Sequence, residues 1–193
     1  MKKIISLFQR NYEGDRLVRN EIVPNAEWVL SGDGIATRKW DGTACMVSNG
    51  NLYKRYDAKN GKIPPAGFIP AQDPDPETGH WPGWLLVMND KSDKWHIEAR
   101  NNCATWPLPN WTYELIGPKI QGNAEGLTFS MLMPHGKQYL PDCPRDYDGI
   151  GEYLKTHDIE GIVWWRDINN IDCDKVKIKT KDFGLRRGVS NVF

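Results

Sequence analysis

Apolar and polar positions alternate most clearly over residues 43–56. Thr43-Ala44-Cys45-Met46-Val47 and Leu52-Tyr53-Lys54-Arg55-Tyr56 flank Asn49-Gly50. Asn-Gly between two β-favouring runs predicts a tight hairpin. With those two residues in the turn, Ser48 pairs with Asn51 and Ala44 with Arg55. This register carries Arg55 to the end of the hairpin where Lys39 and Asp41-Gly42 lie. A second hairpin is predicted over residues 160–180, with a longer connection around Asn169-Asn170. Its first arm, Glu160-Gly161-Ile162-Val163-Trp164-Trp165, is apolar almost throughout, as a buried strand is. Its second arm is Lys175-Val176-Lys177-Ile178-Lys179, where a period of two puts the three lysines on one face and the apolar pair on the other. An antiparallel return sets Glu160 near Lys179.

Elsewhere the pattern is weaker. β-favouring residues return from Lys94 to Ala99 and from Trp111 to Ile116. Tyr147, Ile150 and Leu154 give a helical spacing within residues 146–157, which Gly149 and Gly151 weaken. Residues 61–83 hold six prolines and four glycines and read as a long surface loop, either an insertion or a lid or strand clamp. The fold class expected is α+β, with mainly antiparallel sheets and few helices, as one domain over residues 1–193.

Composition narrows the function classes. Lys and Arg total 25 and Asp and Glu total 25, so no global charge draws a polyanion. Nucleic-acid contact has to come from a local patch, and residues 175–187 contain six Lys or Arg. That strip is either a phosphate track or a solvated face. The four cysteines form no C-x-x-C, and none of the four histidines completes a zinc spacing. They read as reduced structural thiols, which points to a cytoplasmic protein. The first ten residues carry too short an apolar run for a signal peptide, and no stretch approaches a membrane span.

The chemistry centres on Lys39-Trp40-Asp41-Gly42. A free lysine has a pKa near 10.4, so as a nucleophile it must be made neutral, which desolvation and nearby cations favour. Lys177, Lys179 and Arg55 are the cations expected beside it. Those same groups would grip phosphate. Mg²⁺ takes hard oxygen ligands and needs only one or two carboxylates; Glu160 is the best candidate and Glu114 the next. Asp41 is assigned to shaping the turn.

In order and spacing, Lys39-Trp40-Asp41-Gly42, Tyr53-Lys54-Arg55, Tyr113-Glu114-Leu115-Ile116-Gly117, Glu160-Gly161-Ile162-Val163 and Lys177-Ile178-Lys179 resemble the successive motifs of the covalent nucleotidyltransferase superfamily, which holds polynucleotide ligases and mRNA capping enzymes. Longer stretches are similar to a small family of 5′–3′ RNA ligases. These are Lys39 to Val47, Leu52 to Asp57, Tyr113 to Asn123 and Lys177 to Leu185. Coverage runs from about Gly34 to Leu185.

The resemblance implies a nucleotidyltransferase (adenylation) domain, ATP with Mg²⁺ or Mn²⁺, and RNA 5′-phosphate and 3′-hydroxyl ends as substrates of a monomeric RNA-repair ligase. It implies that Lys39 carries AMP and that Arg55 contacts ribose or phosphates. Glu114 falls at a ribose-side carboxylate, Glu160 at a metal-linked glutamate, and Lys177 and Lys179 at the α-phosphate. Two departures stand out. Many DNA ligases and capping enzymes have an arginine two residues after Asp-Gly, where this chain has Ala44. They also append an OB-fold domain after the lysine pair, and none is expected here, because the sequence ends 14 residues after Lys179. The first leaves Arg55 to serve in that arginine's place, and the second favours an RNA ligase over a DNA nick ligase or a GTP-using guanylyltransferase. A non-catalytic nucleotide- or RNA-binding module is the alternative from another class.

Overall fold

The computed structural model describes residues 1–59 and 62–187. In chain order its strands are β1 (Ile5–Ser6), β2 (Phe8–Arg10), β3 (Val18–Ile22), β4 (Ile35–Lys39), β5 (Thr43–Ser48), β6 (Asn51–Ala58), β7 (Ile69–Pro70), β8 (Trp81–Leu86), β9 (Trp111–Ile116), β10 (Met131–Pro134), β11 (Gly161–Trp165) and β12 (Lys175–Lys179). The α-helices are α1 (Lys94–Asn101) and α2 (Tyr147–Thr156). Most strand pairs are antiparallel, so the fold is α+β with few helices, as the sequence predicts. Among the described residues no helix is long and apolar enough to cross a membrane.

The chain forms two compact units. One joins Met1–Lys3 to Asp41–His135, and the other joins Ile4–Trp40 to Gly136–Phe193. Residues 188–193, the end of the single domain expected from sequence, lie outside the described residues.

The unit containing Lys39 is built on a four-stranded sheet in the order β1-β12-β11-β4. β11 lies inside it, and all five of its residues are buried, which explains why it is written almost wholly in apolar letters. β12 returns antiparallel, with Gly161 opposite Lys179 and Val163 opposite Lys177. Helix α2 packs Ile150 and Leu154 into the same core as Ile162, Trp164 and Ile178. It starts where Asp146 accepts a hydrogen bond from the Gly149 N–H at 2.8 Å, which satisfies an otherwise orphaned helix donor. This cap and the apolar face outweigh the two helix glycines.

The other unit is a six-stranded antiparallel sheet in the order β10-β9-β5-β6-β8-β7. Asn49 and Gly50 have φ of 49° and 75°, as a two-residue type I′ turn requires. The ladder runs from Ser48–Asn51 to Cys45–Lys54, one step short of the expected Ala44–Arg55 pair.

Two expectations are corrected here. Residues 94–99 form helix α1 rather than a strand. Trp95 and Ile97 suggested β structure, but burial of Ala99 against Cys45, Val47 and Leu115 decides the outcome. Asp93, just before the helix, accepts from the Met88 N–H at 2.7 Å and receives Lys54, which fixes the approach of the chain.

The Pro/Gly-rich segment is also not loop throughout. Residue 61 lies outside the described residues, but Ile69 and Pro70 pair with Trp84 and Gly83 in β8. Gly83 admits this because a Cβ there would come within 2.3 Å of the Phe68 ring. Between the two strands, Asp75 accepts the N–H groups of Glu77 and Thr78 at 3.1 and 3.0 Å, which hold its carboxyl down at about 2.

Gly161 supports a stability prediction. A Cβ on Gly161 would sit 2.1 Å from the Ile178 carbonyl oxygen and 2.8 Å from the Lys179 Cα. Backbone contacts this close are relieved only by moving strands. Gly161→Ala is expected to cost on the order of 2 kcal/mol and to lower the melting temperature by roughly 4–8 °C. A melt by circular dichroism within 1–2 °C of wild type would contradict this.

Candidate active site

Lys39 is the last residue of β4 and lies opposite Gly161, which on its other side lies opposite Lys179. Residues facing one another across adjacent strands share a face of the sheet. Glycine in the middle of this row leaves the space between two lysines without a side chain. Glu160, one residue earlier, fills it. Its Oε2 pairs with the Lys39 amine and its Oε1 with the Lys179 amine at 2.7 Å. The Lys39 Nζ also donates to the Trp40 carbonyl at 3.3 Å. The three side chains retain only 19%, 12% and 22% exposure for Lys39, Glu160 and Lys179, so water screens the cluster weakly.

Electrostatics follow from this packing. Burial pushes the Glu160 carboxyl up, but the Lys39 and Lys179 charges and their hydrogen bonds outweigh it. The net shift is below the ordinary carboxylate range. Lys177 lies two residues before Lys179 on the same face. Burial first, and then the charges of Lys179 and Lys39, bring its amine down to about 8. The expectation that cations crowd this face is met by Lys39, Lys177 and Lys179.

Several residues that sequence reasoning passed over hold this cluster in place. Asp182 is almost fully buried. It accepts the Lys179 backbone N–H at 2.9 Å and pairs with Arg10 of β2. Thr180 Oγ1 donates to the Ile159 carbonyl at 2.7 Å, and the Thr180 N–H to the Glu160 carbonyl at 2.8 Å. Strand β1 runs parallel along β12, with Ser6 opposite Lys177. Only the acidic residue three positions after Lys179 hinted at any of this.

Other parts of the expected basic strip serve local structure. The buried Lys175 amine donates to the Ile171 and Cys173 carbonyls and stands 4.3 Å over the Trp165 ring. Arg187 pairs with Asp158 at 3.2 Å. Residues 175–187 therefore do not present six equivalent cations.

Arg55 and Glu114 belong to the other unit. The Arg55 guanidinium donates to the Met1 carbonyl at 3.0 Å and stacks 4.8 Å from the Trp84 ring. Burial lowers its pKa, partly countered by Asp57. In the Asp41-Gly42 turn, the Asp41 N–H donates to Glu125 at 3.0 Å. A Cβ on Gly42 would meet the Leu115 carbonyl oxygen at 2.1 Å, so this motif position needs glycine for close approach to β9. Glu114 of β9 is only 8% exposed, and its Oε2 accepts from His135 Nε2 at 2.7 Å. His135 carries no motif in the sequence and becomes visible only through this contact.

Among the described residues no three His, Cys, Asp or Glu side chains gather as a metal cluster. A resident ion held wholly by protein does not fit Glu160, because both its oxygens already face ammonium groups. A magnesium ion that arrives on phosphate oxygens asks less, since one carboxylate then suffices.

Against known proteins, no protein-family model matches the chain. The chain is similar to the proteins named RNA ligase 1 of Rattus norvegicus and Mus musculus. Identity is 27% in each case, over 68% of this chain. The chain spans 63% and 62% of the lengths of these curated relatives, under two thirds of each. The resemblance to RNA ligases drawn from the motifs is thus shared by a similarity that covers 68% of the chain.

The Lys177 environment predicts a pH dependence. The folded amine releases its proton near pH 8, whereas an unfolded lysine keeps it until about 10.4. Below pH 8 both states are protonated and the folded state carries the full penalty of the buried charge. As pH rises from about 8 to about 10.4 the unfolded state binds more protons, so this penalty fades. Lys177→Met keeps the alkyl stem and removes the charge. It is expected to raise stability at pH 7 by on the order of 1–3 kcal/mol, with the gain shrinking towards pH 10. Urea unfolding at both pH values measures it; a gain that grows with pH would contradict the assignment.

Proposed function

We propose that this chain is an ATP-dependent RNA ligase that works through a lysyl-AMP at Lys39 and an adenylylated RNA 5′ end. The observation that carries the proposal is the clustering of Lys39, Lys177 and Lys179 around one carboxylate, Glu160, at the Gly161 row of the sheet. Lys39 comes from one expected motif, Glu160 from a second, and Lys177 with Lys179 from a third. The similarity to proteins named RNA ligase 1 supports the same reading. The nucleotidyltransferase fold assignment is part of this proposal.

The residues suggest how the steps proceed. A triphosphate competes with Glu160 for Lys179 and Lys39, because phosphate oxygens offer more negative charge than one carboxylate. Lys39 turns from Glu160 and gives up a proton to solvent; its neutral nitrogen forms a bond to the α-phosphorus and sheds a second proton to solvent as it becomes the phosphoramide. The bond from that phosphorus to the bridging oxygen breaks, and pyrophosphate leaves with the electron pair. Lys177 and Lys179 hold the α-phosphate oxygens, where negative charge grows during attack. Mg²⁺, when bound beside Glu160, would supply further neutralisation of the phosphates. The RNA 5′-phosphate oxygen then attacks the same phosphorus, the N–P bond breaks with its electron pair going to nitrogen, and Lys39 takes up two protons from solvent to become an ammonium again. Finally a 3′-hydroxyl loses its proton to solvent and attacks the RNA 5′-phosphorus, the bond from that phosphorus to the bridging oxygen breaks, and AMP leaves with the electron pair as the phosphodiester forms. On this reading Arg55 and Glu114 contact the nucleotide, with Glu114 on its ribose side.

Intact-mass measurement after incubation with ATP and Mg²⁺ should show one added AMP, and Lys39→Ala should remove it. An adduct formed equally well by that variant, or only with GTP, would overturn the proposal. Glu160→Ala and Lys177→Ala should stay folded and lose roughly 10²–10³-fold in sealing rate.

Substrate choice gives an independent check. An RNA ligase can read the 2′-hydroxyl beside the reacting ends as both donor and acceptor. Sealing of 5′-phosphorylated RNA is therefore expected to exceed sealing of nicked DNA at the same ionic strength. Equal or faster joining of an all-DNA nick would make the chain a DNA ligase.

A further inference from the structure

Strand β9 places Thr112 and Glu114 two residues apart, on one face of the sheet. Its partner β10 ends at Pro134, opposite Tyr113. The next residue, His135, continues past that pair, and its N–H donates to the Thr112 carbonyl at 3.1 Å. The His135 carbonyl accepts the Trp111 indole N–H at 2.8 Å. The imidazole is thus fixed at its backbone and spans both side chains: Nδ1 lies 3.0 Å from Thr112 Oγ1, and Nε2 lies 2.7 Å from Glu114 Oε2. A carboxylate only accepts, so Nε2 carries the proton.

Glu114 is 8% exposed. Its Oε2 is held by the imidazole, and among the described residues its Oε1 has no side-chain donor of its own. That oxygen keeps its accepting capacity for a ligand hydroxyl. Rotation about the terminal bond of Glu114 would swing this oxygen away, and the imidazole prevents it.

We propose that His135 is a positioning residue for nucleotide recognition: its Nε2–H locks the Glu114 carboxylate so that the remaining oxygen accepts a ribose hydroxyl. The proposal rests on the reading of this chain as an ATP-using ligase with Glu114 on the ribose side. His135 itself does not touch the nucleotide. It makes Glu114 selective, because an oxygen fixed in place discriminates between a sugar that offers a hydroxyl there and one that does not.

The test uses the full chain and measures Lys39 adenylylation at varied nucleotide concentration, with ATP and with 2′,3′-dideoxyATP. With ATP, His135→Ala is expected to raise the apparent KM by roughly tenfold with little change in the limiting rate. His135→Gln offers an amide N–H near the position of Nε2 and is expected to recover most of that loss. With dideoxyATP, wild type, His135→Ala and Glu114→Ala should converge, since no ribose hydroxyl remains to be read.

A KM for His135→Ala equal to wild type overturns the proposal. So does a loss that persists in full with dideoxyATP, which marks a purely structural histidine. If His135→Ala does not fold, His135→Gln decides: a folded glutamine variant as impaired as Glu114→Ala also overturns it. Absence of any AMP adduct in wild type removes the ligase reading and this proposal with it. An adduct in wild type with no effect at His135 removes this proposal alone.

Discussion

Everything at the candidate nucleophile depends on the row Lys39–Gly161–Lys179 across β4, β11 and β12. Three residues far apart in sequence meet there because two antiparallel ladders share one central residue, and that residue has no side chain. Any Cβ at position 161 would collide with the backbone of β12. The close approach brings Lys179 alongside, and the missing side chain leaves a gap that Glu160 bridges. Register is therefore the determinant: a slip of one residue in either ladder would turn a lysine to the opposite face, where the core lies.

That register is held from several directions. The buried strand β11 places Ile162, Trp164 and Trp165 in the interior, and burial of two tryptophans contributes several kcal/mol towards one alignment over its neighbours. Strand β1 pins β12 from the other side, and Asp182 ties the Lys179 backbone to Arg10. Residues 4–22 thus serve the lysine pair although none belongs to a recognised motif. This division of labour is usual for a catalytic constellation. The groups that do chemistry are few, and the groups that hold them within a fraction of an ångström are many.

The elements legible in sequence were those with strong local signals. Asn49-Gly50 announced its hairpin because few residues tolerate two successive positive φ angles. β11 and β12 announced themselves by unbroken apolarity and by alternation, and the Glu160–Lys179 proximity followed from their pairing. The helix at 94–101 was missed because a six-residue window with Trp95 and Ile97 satisfies either periodicity, and only the packing of Ala99 decides. β7 was missed because two residues carry no periodicity. At the site, Lys39, Glu160, Lys177 and Lys179 were legible through motif order. His135 and Asp182 were not, since what distinguishes each is a contact between segments: His135 pairs across to a neighbouring strand, and Asp182 reaches back to Arg10. The similarity of three lysines on one face was real at the level of the strand, yet Lys175 is occupied by loop carbonyls. Alternation gives the face and says nothing of partners.

The charge balance of the cluster suits the ligand proposed for it. Three ammonium groups face one carboxylate, Glu160, which leaves a formal excess of two positive charges in a region largely closed to water. The depressed pKa of Lys177 comes first from burial and then from the neighbouring Lys179 and Lys39 charges, so the site is better suited to a neutral amine than to a third cation. A fold selected for stability alone would place an apolar residue there. Retaining the cation makes sense if a ligand brings the missing negative charge, and the ligand must be compact enough to reach all three amines and carry at least two charges. A chain of phosphates meets both conditions. On the proposed ligase reading, its arrival would also draw the two amines away from Glu160, so that the event that supplies the electrophile would release Lys39 as well.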